Sequence, residues 1–154
     1  MAVFPTARNG RAADKRRALS AQVASEGSEL FAKYGPTVGW DTLRILLDDR
    51  AFVRFPCDIR FDAEPLLPGE FAHAALKGRE PRDGYTVFVH PIYERQLQSV
   101  PYMVLHQLVL VNHGKEASAD DAETFGSRAL GLSKSQYYQV LCELSEQLGG
   151  DDLL

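Results

Sequence analysis

Cysteine is scarce in this chain, with two residues, Cys57 and Cys142, in 154. Two thiols cannot form a multi-bridge disulfide scaffold or a four-thiolate zinc site. Their segments read as a strand and a helix, so reduced, buried thiols in a cytoplasmic protein are expected. Long apolar runs are also missing. No stretch approaches the roughly 20 apolar residues that cross a bilayer, and the longest run, Leu105 to Val111, is interrupted by His106 and Gln107. The opening residues Met1-Ala-Val-Phe-Pro5 have no apolar core of the kind a secretory signal needs, so neither export nor a membrane partner is expected. No G-x-S-x-G, G-x-G-x-x-G or P-loop lysine motif occurs. What remains is 45% hydrophobic and 25% charged, an ordinary globular balance that excludes a coiled coil, a collagen-like fibre and a wholly disordered chain.

Charge is unevenly spread around a net value of -4. Residues 1–17 carry Arg8, Arg11, Lys15, Arg16 and Arg17 against Asp14 alone, whereas residues 105–154 carry three basic groups against eight acidic ones. A nucleic-acid binder of this size carries its basic face through the folded body. Here only the N-terminal arm is basic, which reads as a solvated helix and argues against nucleic acid as the partner.

The expected organisation is a flexible tail over residues 1–12 and one α+β domain over 13–150. Residues 13–34 read as a helix on the stripe Leu19, Val23, Leu30 and Phe31, weakened at Gly27 and stopped by Gly35-Pro36. Asp41 can cap a second helix, with Trp40 and Ile45 placed for a hydrophobic staple. Val53, Phe55, Cys57, Ile59 and Phe61 alternate with Arg54, Pro56, Asp58, Arg60 and Asp62, the period of a strand with one buried face, and Pro56 favours a sheet edge. Glu70 to Lys77 suits a short helix, and Tyr85 to His90 a second strand. Ser99 as cap, an apolar run and Gly114 predict a buried helix over about 100–112. Ser118-Ala-Asp-Asp121 has the form of a capping box opening a helix to Leu130. A last helix follows Gly131-Leu-Ser133, with Tyr137, Val140, Leu141, Leu144 and Leu148 facing inward. The expected fold is therefore a small β-sheet flanked by helices with a helical C-terminal half.

Of the four histidines, His73, His90, His106 and His113, His106 stands in the middle of the most apolar helix. A histidine there is expected to have one ring nitrogen donating and the other accepting, to protein groups or an ordered water. The segment Pro101-Tyr-Met-Val-Leu-His106-Gln107-Leu-Val-Leu110, then Gly114, then Glu116 to Phe125, follows strands and precedes a further helix. Over about residues 40–130 this arrangement resembles the zincin-like minimal metallopeptidases. In that family a small sheet precedes a buried helix bearing H-E-x-x-H, and a later helix supplies a glutamate. The resemblance puts the first metal-binding histidine on His106 and offers Glu116, Asp120 or Glu123 as the acidic ligand.

Two positions depart from the pattern. Gln107 stands where the general-base glutamate belongs, and an amide cannot take a proton from metal-bound water. Leu110 stands where the second histidine belongs. His113 does not replace it, because seven residues of helix separate it from His106 by about 10 Å along the axis, beyond what one zinc with nitrogens at about 2.0–2.1 Å can bridge. The expectation is a non-catalytic cytoplasmic protein of degenerate zincin-like fold, without a cofactor, acting through contacts with an unidentified protein partner. The alternative is a peptidase-like, zinc-dependent hydrolase with an altered ligand set, His106 joined by His90 or His113 and an acidic residue after Gly114. Cys57 as a nucleophile is disfavoured by its place on the buried strand face.

Overall fold

A computed structural model describes residues 3–152. The fold is α+β. Helix α1 (Val3–Tyr34) is longer than the 13–34 span expected, and of the expected 1–12 tail, residues 1 and 2 lie outside the described residues. Helix α2 (Trp40–Leu46) follows, then strands β1 (Cys57–Phe61), β2 (Ala72–Leu76) and β3 (Tyr85–Val89), and helices α3 (Val100–His113), α4 (Ala119–Leu130) and α5 (Lys134–Asp152).

The sheet has the order β1-β3-β2, with β1 parallel and β2 antiparallel to β3. The segment expected as a short helix at Glu70 to Lys77 is thus corrected to a strand. Its sequence, Ala-His-Ala-Ala-Leu, has helix-forming residues. The free edge of β3, however, offers a row of backbone groups, and ladder pairing there outweighs a propensity difference of a few tenths of a kcal/mol per residue. The first strand is also shorter than the alternation implied. Only Cys57–Phe61 pairs with β3, while Val53 and Phe52 are buried in the preceding turn. Arg54 and Arg60 are exposed as the period requires, but Phe55, Ile59 and Phe61 are half-buried instead of buried, and so is Asp62. The cause is position: β1 is an edge strand of the sheet, with Trp40 of α2 against Phe61 at 6.0 Å. That pairing also corrects the staple, because Ile45 is 64% exposed.

Helix α3 contacts β2, β3, α4 and α5, and α1 lies along α4. Gly27, expected to weaken α1, has a packing role. A Cβ there would meet the Phe125 carbonyl oxygen at 2.7 Å and the Arg128 Cβ at 2.8 Å, so its absence lets the two helices close. Gly126 acts alike under Tyr137, whose ring would lie 2.3 Å from an added Cβ. Tyr137 is buried, with its hydroxyl donating to the Tyr102 carbonyl at 2.6 Å. The Ser118–Asp121 capping box forms as expected, with Asp121 N–H donating to Ser118 Oγ (3.1 Å) and Ser118 N–H to Asp121 Oδ2 (2.9 Å). Ser20 Oγ of α1 donates to the other carboxylate oxygen at 3.0 Å. Burial of Asp121 opposes its charge, yet these hydrogen bonds, with the Arg16 charge nearby, hold the carboxyl below its usual range. The start of α4 is thereby tied to α1.

Candidate functional site

Helix α3 forms where the sequence predicts it, although Ser99 makes no side-chain cap and a short 3-10 turn, Leu97–Ser99, leads into it instead. The polar residues on this apolar helix decide what the site can do. Gln107 is 7% exposed, and its Oε1 accepts from the Ala74 N–H at 3.0 Å. The ladder explains why that donor is available. His90 N–H donates to the Phe71 carbonyl and Lys77 N–H to the Gly84 carbonyl. With the register pairing Ala74 to Val87, odd-numbered residues of β2 bond to β3 and the Ala74 backbone faces outward. Gln107 therefore closes the middle of a sheet edge.

Asn112, 6% exposed, plays a similar part on the other side of the helix. Its Oδ1 accepts from the Arg54 N–H at 2.9 Å, and its Nδ2 donates to the Phe52 carbonyl at 2.6 Å. Both backbone groups belong to the turn that leads into β1. The side chain of His113 is 7% exposed, and its Nε2 lies 3.2 Å from Glu26 Oε1 on α1. Three polar side chains of α3 thus fasten the sheet edge, the turn before β1 and α1 to one helix.

His106 differs from all of these. Burial lowers its basicity, so the neutral ring dominates at neutral pH. Its Nδ1 is buried without a protein hydrogen-bond partner. The ring packs against that of Phe71 at 6.3 Å in a T-shaped contact, which supplies no hydrogen bond. His106 lines a groove of about 520 Å³ with Phe71 and with residues of α4 and α5, among them Glu123, Tyr138 and Cys142.

The other candidate ligands do not gather around it. Glu123 shares the groove, but Asp120 pairs with Lys134, and Glu116 lines a separate hollow with Lys15, Arg16 and Leu19. His90 Nδ1 accepts from the Ile92 N–H at 3.2 Å and caps a 3-10 turn. Leu110 is partly exposed one turn beyond His106. No group of three or more His, Cys, Asp or Glu side chains arranged to hold a metal forms among the described residues. The donor set also does not suit zinc. Leu110, one turn from His106, offers no donor atom, the Gln107 amide is already bonded to backbone, and His113 has a carboxylate partner.

The thiols occupy different places. Cys57 on β1 lines a groove of about 350 Å³ with Trp40, Arg44 and Leu47. Burial pushes its thiol up to about 12, with Asp58 adding to the effect, so it is a poor nucleophile. Cys142 lines the His106 groove beside Tyr138. Sequence reasoning did not single out Asn112, Tyr138 or Glu146 for this region. A polar residue inside an otherwise apolar helix was the available signal for Asn112. Among the described residues no helix is long and apolar enough to cross a membrane. Compared with protein-family models, curated proteins and solved structures, the chain shows no match to any of them.

Proposed function

We propose that this chain is a non-catalytic domain of degenerate zincin-like fold that acts through protein contacts. One observation carries the reading: Gln107, at the position of the family's general base, accepts a hydrogen bond from the Ala74 backbone. A side chain committed to a sheet edge cannot activate water, and as an amide it has no basicity to do so. Leu110 one turn beyond His106 supports the same reading, as does the engagement of His113 with Glu26. Unbridged thiols at Cys57 and Cys142 suit a cytoplasmic setting.

The alternative, a zinc-dependent hydrolase with an altered ligand set, has Glu123 beside His106 in its favour. Casein digestion by the full chain purified without a histidine tag separates the two. The non-catalytic reading expects no cleavage, with or without added zinc. Cleavage that a chelator stops, and that a folded His106→Ala variant lacks, would establish the hydrolase.

A further inference from the structure

The groove beside His106 has a lining of mixed chemistry. Phe71, Ala119, Leu141 and the Tyr138 ring are apolar, Glu123 and Glu146 bring two carboxylates, and no lysine or arginine is present. Neither carboxylate has an ion-pair or hydrogen-bond partner among the described residues. At about 520 Å³ the groove falls within the range of small-ligand sites and is wide enough for one or two large side chains. Tyr138 at its rim is 56% exposed, an aromatic surface left to solvent on a helix whose inward side is otherwise buried.

His106 adds a directional group. A neutral imidazole carries one proton, and a buried N–H without an acceptor is rarer than a buried lone pair without a donor. With Nδ1 buried and unpartnered, that preference places the proton on Nε2 and makes it a donor for whatever enters the groove. An apolar surface, two unpaired carboxylates and one donor together complement a ligand with an apolar body, a cation and a carbonyl.

We propose that this groove docks a protein segment bearing an arginine or lysine next to an apolar side chain. Glu123 and Glu146 answer the cation, Leu141 and Tyr138 cover the apolar neighbour, and His106 Nε2 donates to a backbone carbonyl. The proposal rests on the non-catalytic, protein-contact reading and names the partner's chemistry. Charge complementarity favours a basic segment over an acidic or wholly apolar one. An acidic segment would meet two uncompensated carboxylates, and an apolar one would strip their water without replacing it.

Selection of a phage-displayed random peptide library on the immobilised full chain tests this. The enriched peptides should share a basic residue beside an apolar one. Ala119→Trp, at an exposed position of the lining, should abolish their binding while leaving thermal unfolding unchanged. The double variant Glu123→Gln/Glu146→Gln should weaken it by about three- to tenfold, the scale of two solvent-accessible ion pairs, and added salt should do the same. The proposal is overturned if no peptide is enriched, if the consensus lacks a base, or if binding ignores Ala119→Trp. It is likewise overturned if N-acetylarginine amide alone binds as tightly as the peptides, since the site would then be one for small amines. Cleavage of the selected peptides would instead sink the non-catalytic reading, so the two failures are distinguishable.

Discussion

Replacing Gln107 with leucine removes one hydrogen bond while nearly conserving volume, and its consequence can be worked from the geometry. The lost contact is the 3.0 Å bond from the Ala74 N–H in the middle of the outer edge of β2. A typical intramolecular hydrogen bond contributes about 0.5–1.5 kcal/mol net, and a buried donor left without a partner costs about 1–3 kcal/mol. Ala74 is half-buried, so water recovers part of that cost, and the expected loss is about 1–2 kcal/mol. For a chain of this length that corresponds to a fall in Tm of roughly 2–8 °C. Urea titration should show a lower midpoint with an unchanged slope. Amide hydrogen exchange should show the Ala74 proton exchanging faster, with protection of β3 retained. Opening this edge also exposes a backbone donor to strand pairing, so the variant should self-associate at high concentration. If stability and Ala74 exchange both match the wild type, Gln107 does not close the edge and its position opposite the sheet carries no structural task.

Asn112→Leu should be more costly, about 2–4 kcal/mol by urea titration, because it strands the Arg54 N–H and the Phe52 carbonyl together. His106→Leu should lie within about 1 kcal/mol of wild type, or above it, since it removes a buried nitrogen that has no partner. Gly126→Ala should destabilise by about 1–3 kcal/mol in thermal unfolding, because the new methyl overlaps the Tyr137 ring and displaces its hydroxyl from the Tyr102 carbonyl. Asp49 is held down to about 2 by hydrogen bonds from Lys33 and Tyr34 and from the Ala51 N–H. Its unfolded carboxyl takes a proton near 3.8. Its contribution to stability is therefore present above that value and lost as the pH falls toward 2, and Asp49→Asn should flatten this limb of the pH–stability curve.

Features set by local chemistry were legible in the chain. The end of α3 follows from Gly114 after the apolar run, and the start of α4 from the Ser118–Asp121 box, whose partners lie three residues apart. The β1 edge position was marked by Pro56, which lacks a backbone donor. What could not be read depends on elements distant in sequence. Strand β2 exists because β3 has a free edge, and nothing within Ala72–Leu76 announces that. Gly27 looks like a defect in α1 until Phe125 of α4 lies against it. His113 and Glu26 are 87 residues apart, so their pairing required the α1–α3 approach. That His106 Nδ1 meets no protein partner is a matter of packing, which the chain's local pattern does not show.

Metal analysis tests whether the helix bearing His106 serves structure and not metal chemistry. Tag-free protein would be incubated with excess zinc, dialysed free of unbound ion, and its zinc measured per mole of folded chain. The expected result is no stoichiometric zinc, with a value for His106→Ala equal to that of wild type. One zinc per chain in wild type, lost in a folded His106→Ala variant, would contradict it.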